Sequence, residues 1–335
     1  MENLETELKI AIIGCGAIVE NNHLPALSKI KNISVAWFAD TDIERAKIYA
    51  NRYRAGYSDN TDDIPNDIHA ALVAVPNYLH ADLCTKLMEK GIDVLCEKPM
   101  AITVSDCMQI VKSAEQNHSV FAVVHQLKFL SSVKEFKRIV FEESRLGNIE
   151  EADISLGWKF AWQSRTSFYS EQKYAGGGVM MDLGCHILDL AADLFGDINH
   201  AEMSASFNSQ AGDRMDNAAT LKVCFDSGVS GSIRVSRLGT LDNSILVKGK
   251  KGFISASLTD PCITLNISDS ALCFDAHGAK IETGSNDPFA ELWLRFAACC
   301  RNRKISDKLS GAVKGLRVIQ IIESLYEKGI WNNSL

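Results

Sequence analysis

The first 125 residues alternate short, continuous apolar runs with amphipathic stretches, and that order leaves few folds open. Leu8–Ile13, Ile33–Ala39, His69–Val75, Asp93–Cys96 and Val120–His125 read as strands. Ala17–Ile30, Asp42–Tyr53, Tyr78–Lys90 and Ser105–Asn117 read as helices. Gly91 stops the third of these, and Thr103 or Ser105 caps the fourth. Strands that are apolar throughout need cover on both faces. The order therefore predicts a doubly wound parallel sheet with helices above and below it, an α/β fold.

After residue 125 the pattern changes. Ser131–Glu143 is helical, and Ala218–Phe225 and Val229–Val235 flank Asp226-Ser227-Gly228 as a hairpin. Ile245–Lys248, Phe253–Ser257 and Ile263–Ile267 continue as strands, and helices at about 287–302 and 311–328 close the chain. This predicts an α+β unit with a mostly antiparallel sheet. At 335 residues the chain is too long for one ordinary core. The division expected is one domain over 1–125 and a second over 126–335.

Composition excludes several classes. A net charge of -7 speaks against nucleic acid and anionic membrane surfaces as partners. The longest apolar runs are strand-sized, so no membrane span is expected. Met1 to Glu7 is acidic and polar, unlike a secretory signal. Ten scattered cysteines form no C-x-x-C, which suits reduced thiols in a cytoplasmic protein with no metal site.

Gly14-Cys15-Gly16 directly follows the first strand and opens a helix at Ala17-Ile18. The first glycine permits the tight turn, and the second lets backbone approach a pyrophosphate held at the helix N-terminus. The third position of that fingerprint is Val19, where a smaller residue lets helix and strand pack closer. Asp40 ends the second strand. It either accepts hydrogen bonds from the adenosine ribose, which favours NAD over NADP, or caps the next helix. Val75-Pro76-Asn77 ends a further strand at the same edge. Asn77 can reach the nicotinamide ribose or cap its helix, and His80 either contacts the cofactor or packs.

The chemistry lies in two segments. Lys98 follows a strand in Cys96-Glu97-Lys98-Pro99, so it stands at the carboxyl edge where doubly wound sheets bind ligands, and Pro99 restrains its backbone. Asp182 and His186 are spaced i, i+4 on a helix running to about Leu194, with Asp189 on the same face. Such spacing also makes a plain helix salt bridge. Gly176-Gly177-Gly178 just before it permits a ligand to approach the helix start.

These pieces resemble the glucose–fructose oxidoreductase / inositol dehydrogenase / rhizopine-catabolism (Gfo/Idh/MocA) dehydrogenase family. The resemblance rests on Gly14-Cys15-Gly16-Ala17-Ile18, His23-Leu24-Pro25-Ala26-Leu27, Val75-Pro76-Asn77, Glu97-Lys98-Pro99, the glycine run through His186 to Asp189, and Gly315-Leu316-Arg317 with Ile321-Ile322-Glu323. The chain departs from it at Val19 and in Gln126-Leu127-Lys128-Phe129, where arginine is more usual than Lys128. The resemblance implies a dinucleotide-binding Rossmann domain over 1–125, a substrate-binding and oligomerisation domain with a large, mostly antiparallel open sheet over 126–335, and hydride transfer between nicotinamide and a secondary alcohol. It implies His186 as general acid/base, Lys98 bonded to the reacting oxygen and Asp182 as the orienting group. Glu97 is implied among the cofactor contacts with Gly14, Gly16, Ala17, Ile18, Asp40, Pro76, Asn77, His80 and Lys98. A base with a pKa near neutrality suits such a proton transfer independently.

Trp158 to Tyr174 holds six aromatic residues among 17, against 8% overall, and runs into the glycine segment. Trp158, Phe160, Trp162, Phe168, Tyr169 and Tyr174 suit the C–H faces of a sugar, cyclitol or nucleotide-activated sugar, or ordinary packing. Trp158, Arg165 and Tyr174, with Gln126, Lys128, Lys98, Asp182 and His186, are the expected substrate contacts. Two rival readings remain at this level. One is a redox-neutral enzyme that uses tightly bound NAD for elimination or glycoside cleavage. The other is a non-catalytic NAD-binding regulator. An open sheet with an apolar outer face would associate, so a homodimer or homotetramer through the second domain is expected.

Overall fold

The computed structural model describes residues 7–159, 171–207, 215–267 and 279–332. They fall into two compact units. The first comprises residues 7–124, 171–176 and 289–319, and the second the remaining described residues. No described helix is long and apolar enough to cross a membrane.

The first unit holds β1 (Leu8–Ile13), β2 (Ile33–Ala39), β3 (Gly56–Ser58), β4 (Ala70–Val73), β5 (Asp93–Cys96) and β6 (Phe121–Val123). These strands are mutually parallel in the order β6-β5-β4-β1-β2-β3. That is the doubly wound order, whose direction reverses between β1 and β4. Its helices are α1 (Leu24–Leu27), α2 (Ile43–Tyr53), α3 (His80–Glu89) and α4 (Val104–Gln116). The core between them is Ile10, Ile12, Phe38, Leu72, Met88, Leu95 and Ile110, each fully buried. Each such side chain contributes about 1.5–3 kcal/mol to the folded state.

Two late segments return to this unit. The antiparallel strand written here as β15 (Ser310–Gly311) extends the sheet beside β6. Helix α8 (Pro288–Asn302) buries Leu292, Trp293, Phe296, Ala297 and Cys300, one stripe at helical spacing. The division of the chain is therefore not a single cut near residue 125. Of α9 (Ala312–Lys328), residues through Ile319 belong to the first unit and the rest to the second.

The second unit is a nine-stranded sheet. It contains β7 (Ile149–Gly157), β8 (Ile198–Phe207), β9 (Asp216–Phe225), β10 (Ser230–Ser236), β11 (Ser244–Gly249), β12 (Gly252–Ser257), β13 (Cys262–Ile267), β14 (Ala279–Glu282) and β16 (Ile330–Asn332). Of its described pairs only β7 with β10 is parallel. Helices α5 (Ser131–Lys137) and α7 (Cys185–Phe195) lie on one face, α5 over β12 and β13 and α7 over β7. The opposite face is not apolar. One register row across it reads Glu202, Lys222, Ser232, Asp153, Leu246, Ser255 and Thr264. Association through this sheet therefore does not follow from an apolar outer face. Charged and hydroxyl side chains keep that face solvated, while the alternate residues Leu221, Ile233, Ile154, Ile245 and Ile254 carry the apolar burden inward.

Candidate active site

In the first unit the site begins at the switch point between β1 and β4. Gly14 has φ +86°, and a Cβ there would stand 2.3 Å from the Ala74 carbonyl oxygen. Both the dihedral and the space require glycine. Gly16 differs, because nothing lies within 4 Å of its missing Cβ. Clear space beside the amino end of a helical segment, on the crevice side of the sheet, fits a dinucleotide pyrophosphate. Ala17 and Ile18 begin that segment, and Val19 opens a π-helical turn, Val19–His23. Val19 is fully buried. The wider turn admits the larger side chain at the third fingerprint position.

Asp40 braces this loop. Its Oδ2 accepts the Cys15 backbone N–H at 2.7 Å, and its Oδ1 accepts that of Asp42 at 2.9 Å. The Arg45 guanidinium lies 3.3 Å from both oxygens and also pairs with Asp42. The cap of α2 is Asp42, whose side chain accepts the Arg45 N–H. Asp40 is thus not that helix's cap; it joins the glycine loop to the residues that open α2.

Pro76 and Asn77 follow β4. Asn77 is buried and donates its side-chain N–H to the Ala175 carbonyl at 3.2 Å, so it caps no helix. Tyr174 packs on Tyr78 with ring centroids 4.9 Å apart. His80, fully buried, has its ring nitrogens 2.8 Å from the Pro99 carbonyl and 2.9 Å from the Val75 carbonyl. A neutral imidazole donates to one of these carbonyls, by either ring nitrogen, and His80 lies between the loop after β4 and the turn after β5. It clamps the two loops together. Burial pushes its pKa down, against the two carbonyls and Glu97.

Lys98 is half-buried after β5, in a cis peptide with Pro99. Glu97 beside it is buried, yet its carboxyl sits below the usual range. Burial opposes ionisation, but the hydrogen bond from His23 and the charges nearby, Lys98 among them, outweigh it. Glu97 Oε1 lies 2.8 Å from His23 Nε2, and Oε2 accepts the Lys98 backbone N–H at 3.1 Å. Glu97 is a structural neighbour of Lys98, held from within the protein.

In the second unit Gly177 and Gly178 make room for the protein's own side chains. A Cβ on Gly177 would fall 2.5 Å from the Tyr326 hydroxyl, and one on Gly178 2.1 Å from the Asp216 carbonyl oxygen. Asp216, wholly buried, accepts N–H groups of Gly178 (2.9 Å) and Met180 (3.0 Å) and the Tyr326 hydroxyl (2.5 Å). Burial raises its pKa, and these donors oppose the rise. They fasten the start of the π-helical turn Met180–Gly184, which runs on into α7. Single π turns recur at functional sites.

Asp182 stands on that turn and accepts from Arg237 Nη2 at 3.0 Å. His186, on the first turn of α7, is 8% exposed, and its ring meets the edge of His125 at 5.7 Å. One turn on, Asp189 forms a buried ion pair with Lys128 at 2.8 Å, each side chain 4% exposed. Lys137 pairs with Asp193 beside them at 3.0 Å. Asp182, His186, Asp189, Lys128 and Gln126 are thus all placed in the second unit, as are the unforeseen Arg237 and His125. The Gln126 carboxamide oxygen is buried without a hydrogen-bond partner. Trp158 is exposed at the end of β7. Arg165, with Phe160, Trp162, Phe168 and Tyr169, lies outside the described residues.

The family model for the oxidoreductase family with an NAD-binding Rossmann fold matches residues 8–125, and that for the GFO/IDH/MocA C-terminal domain matches 134–255. The chain belongs to the Gfo/Idh/MocA oxidoreductase family. Family members similar to it include oxidoreductase P35 of Formosa agariphila, 24% identical over 78% of this chain and 83% of that one. Glucose-6-phosphate 3-dehydrogenase of Bacillus subtilis is 28% identical over 56% of this chain and 53% of its own length. A 2,7-anhydro-N-acetylneuraminate hydratase of Escherichia coli is 25% identical over 64% of this chain and 58% of its own. For the last two, the match spans little more than half of the relative. Among solved structures, a levoglucosan dehydrogenase in complex with NADH and levoglucosan has a TM-score of 0.85 at 19% identity, covering 98% of this chain and 100% of that one. KijD10, a 3-ketoreductase of Actinomadura kijaniata in complex with NADP, has 0.82 at 17% identity, covering 95% and 97%. At these identities the likeness shows the fold. The family is one of NAD(P)-binding oxidoreductases acting on CH–OH groups.

Proposed function

We propose that this chain transfers hydride between a nicotinamide cofactor and a secondary alcohol or ketone of a sugar, cyclitol or nucleotide-activated sugar. The observation that carries the reading is the second unit's placement of a nearly buried imidazole, His186, four residues along the same helical segment from a carboxylate, Asp182, that Arg237 fixes. With Arg237 holding Asp182 at 3.0 Å, the carboxylate orients substrate hydroxyls and proton transfer falls to His186. Lys98, on the backbone that Glu97 and His80 restrain, donates to the reacting oxygen and holds it for that transfer. Gly14, Gly16, Ala17, Ile18, Asp40, Pro76 and Asn77 would hold the dinucleotide, whose nicotinamide supplies the hydride acceptor when bound.

Asp40 supports NAD over NADP. It follows β2, beside the loop that would hold the pyrophosphate, the place where a carboxylate meets ribose hydroxyls. A sugar-like substrate is supported by the exposed Trp158 and by the unpartnered Gln126 oxygen, an acceptor for a hydroxyl. The hydratase relative favours one second reading, a redox-neutral reaction. The test is nicotinamide absorbance with NAD and with NADP against cyclitols, free sugars and nucleotide sugars. Turnover with one class and a preference for NAD is expected. Silence across the panel, with NAD bound, would remove the dehydrogenase reading.

A further inference from the structure

Lys98 is held by a chain of hydrogen bonds that starts far from it in the sequence. Trp293, on α8, is fully buried and donates its indole N–H to His23 Nδ1 at 3.1 Å. An indole nitrogen can only donate, so His23 Nδ1 carries the lone pair and Nε2 carries the proton. That Nε2 lies 2.8 Å from Glu97 Oε1 and donates to it. The other oxygen of Glu97 takes the backbone N–H of Lys98 at 3.1 Å. Both Glu97 oxygens are thereby occupied, one fixed from α8 and one fixing Lys98.

The surroundings of His23 leave little room for another arrangement. The ring is fully buried, with the edges of Phe289 at 5.0 Å and Trp293 at 5.9 Å. Both aromatics lie on α8, in the same unit as β5. The charged and titratable groups that act on Glu97 are His23, Lys98 and, from α3, His80.

We propose that Trp293 and His23 are positioning residues that act through Glu97 to fix the backbone, and hence the amine, of Lys98. The proposal rests on the reading above only in giving Lys98 a substrate to meet. Its test needs no substrate, so the two can fail separately.

The experiment has two parts on the full chain. In the first, imidazole ¹⁵N spectra of the wild type at neutral pH read the His23 tautomer. The Nε2–H form is expected, and an Nδ1–H form would overturn the proposal. In the second, amide hydrogen exchange follows Lys98 against Val94 and Cys96 of β5. Trp293→Phe keeps an aromatic ring on α8 but removes the donor. It should speed Lys98 exchange by about tenfold with the β5 amides unchanged, since one hydrogen bond is lost. His23→Leu should do the same. His23→Gln, whose amide can still donate towards Glu97, should restore most of the protection. Wild-type Lys98 protection in both Trp293→Phe and His23→Leu would overturn the proposal, as would a rise in exchange that spreads equally through β5.

Discussion

The turn that carries Lys98 and the helix that carries His186 are secured by different physics. Around Lys98 the fastenings are hydrogen bonds to groups that need not ionise: one backbone carbonyl, of Val75 or Pro99, on His80, and the Trp293 indole on His23. Glu97 is the one ionised member. Around His186 they are ion pairs, Lys128 with Asp189 and Arg237 with Asp182. A hydrogen-bonded turn loses a little when one partner goes. A buried ion pair loses far more, because the charge left behind has no solvent. The first arrangement tolerates substitution by degrees, and the second does not.

The largest expected effect breaks the second arrangement. Lys128→Met strands Asp189, 4% exposed, and should cost about 3–5 kcal/mol in chemical denaturation, with Asp189→Leu added in the same chain restoring much of it. If Lys128→Met alone is nearly neutral, the ion-pair account of α7 is wrong. Next comes the chemistry. Lys98→Met and His186→Asn should each lower turnover by about a hundredfold or more while NAD binding by fluorescence is retained; near-normal turnover in both would end their assigned roles.

A smaller effect is expected at the fastening of the π turn. Tyr326→Phe removes one donor from the buried Asp216 and should cost about 1–3 kcal/mol. An unchanged denaturation midpoint would show that Gly178 and Met180 suffice. The smallest effect is a pH dependence in the turn. The Glu97 carboxyl is depressed in the folded protein, so its contribution is present above the ordinary glutamate value of about 4.3 and is lost as pH falls through the folded value. Glu97→Gln should flatten that acid limb of stability, and an acid limb of unchanged slope would contradict the assignment.

Much of the first unit was legible in the sequence because its signals are local. β1, β2 and β5 begin and end where their apolar runs do, and Thr103 caps α4. β3 is three residues long and carries too little pattern to be seen, and β7 opens with Glu150, Glu151 and Asp153 in place of an apolar run. The site divided in the same way. Lys98, Asp182 and His186 stand out through neighbours a few residues away. Arg237, Asp216, Tyr326, His23 and Trp293 do not, because each acts on a partner 36 to 270 residues distant. Gly177 and Gly178 also admit Tyr326 and Asp216, which no short motif announces.

The central claim is net hydride transfer, and stoichiometry tests it most directly. With a substrate from the panel and excess NAD, NADH formed would be counted against substrate consumed. The account expects one NADH for each substrate converted to its ketone. Substrate consumed with no NADH accumulated would contradict it and leave the redox-neutral reaction in its place.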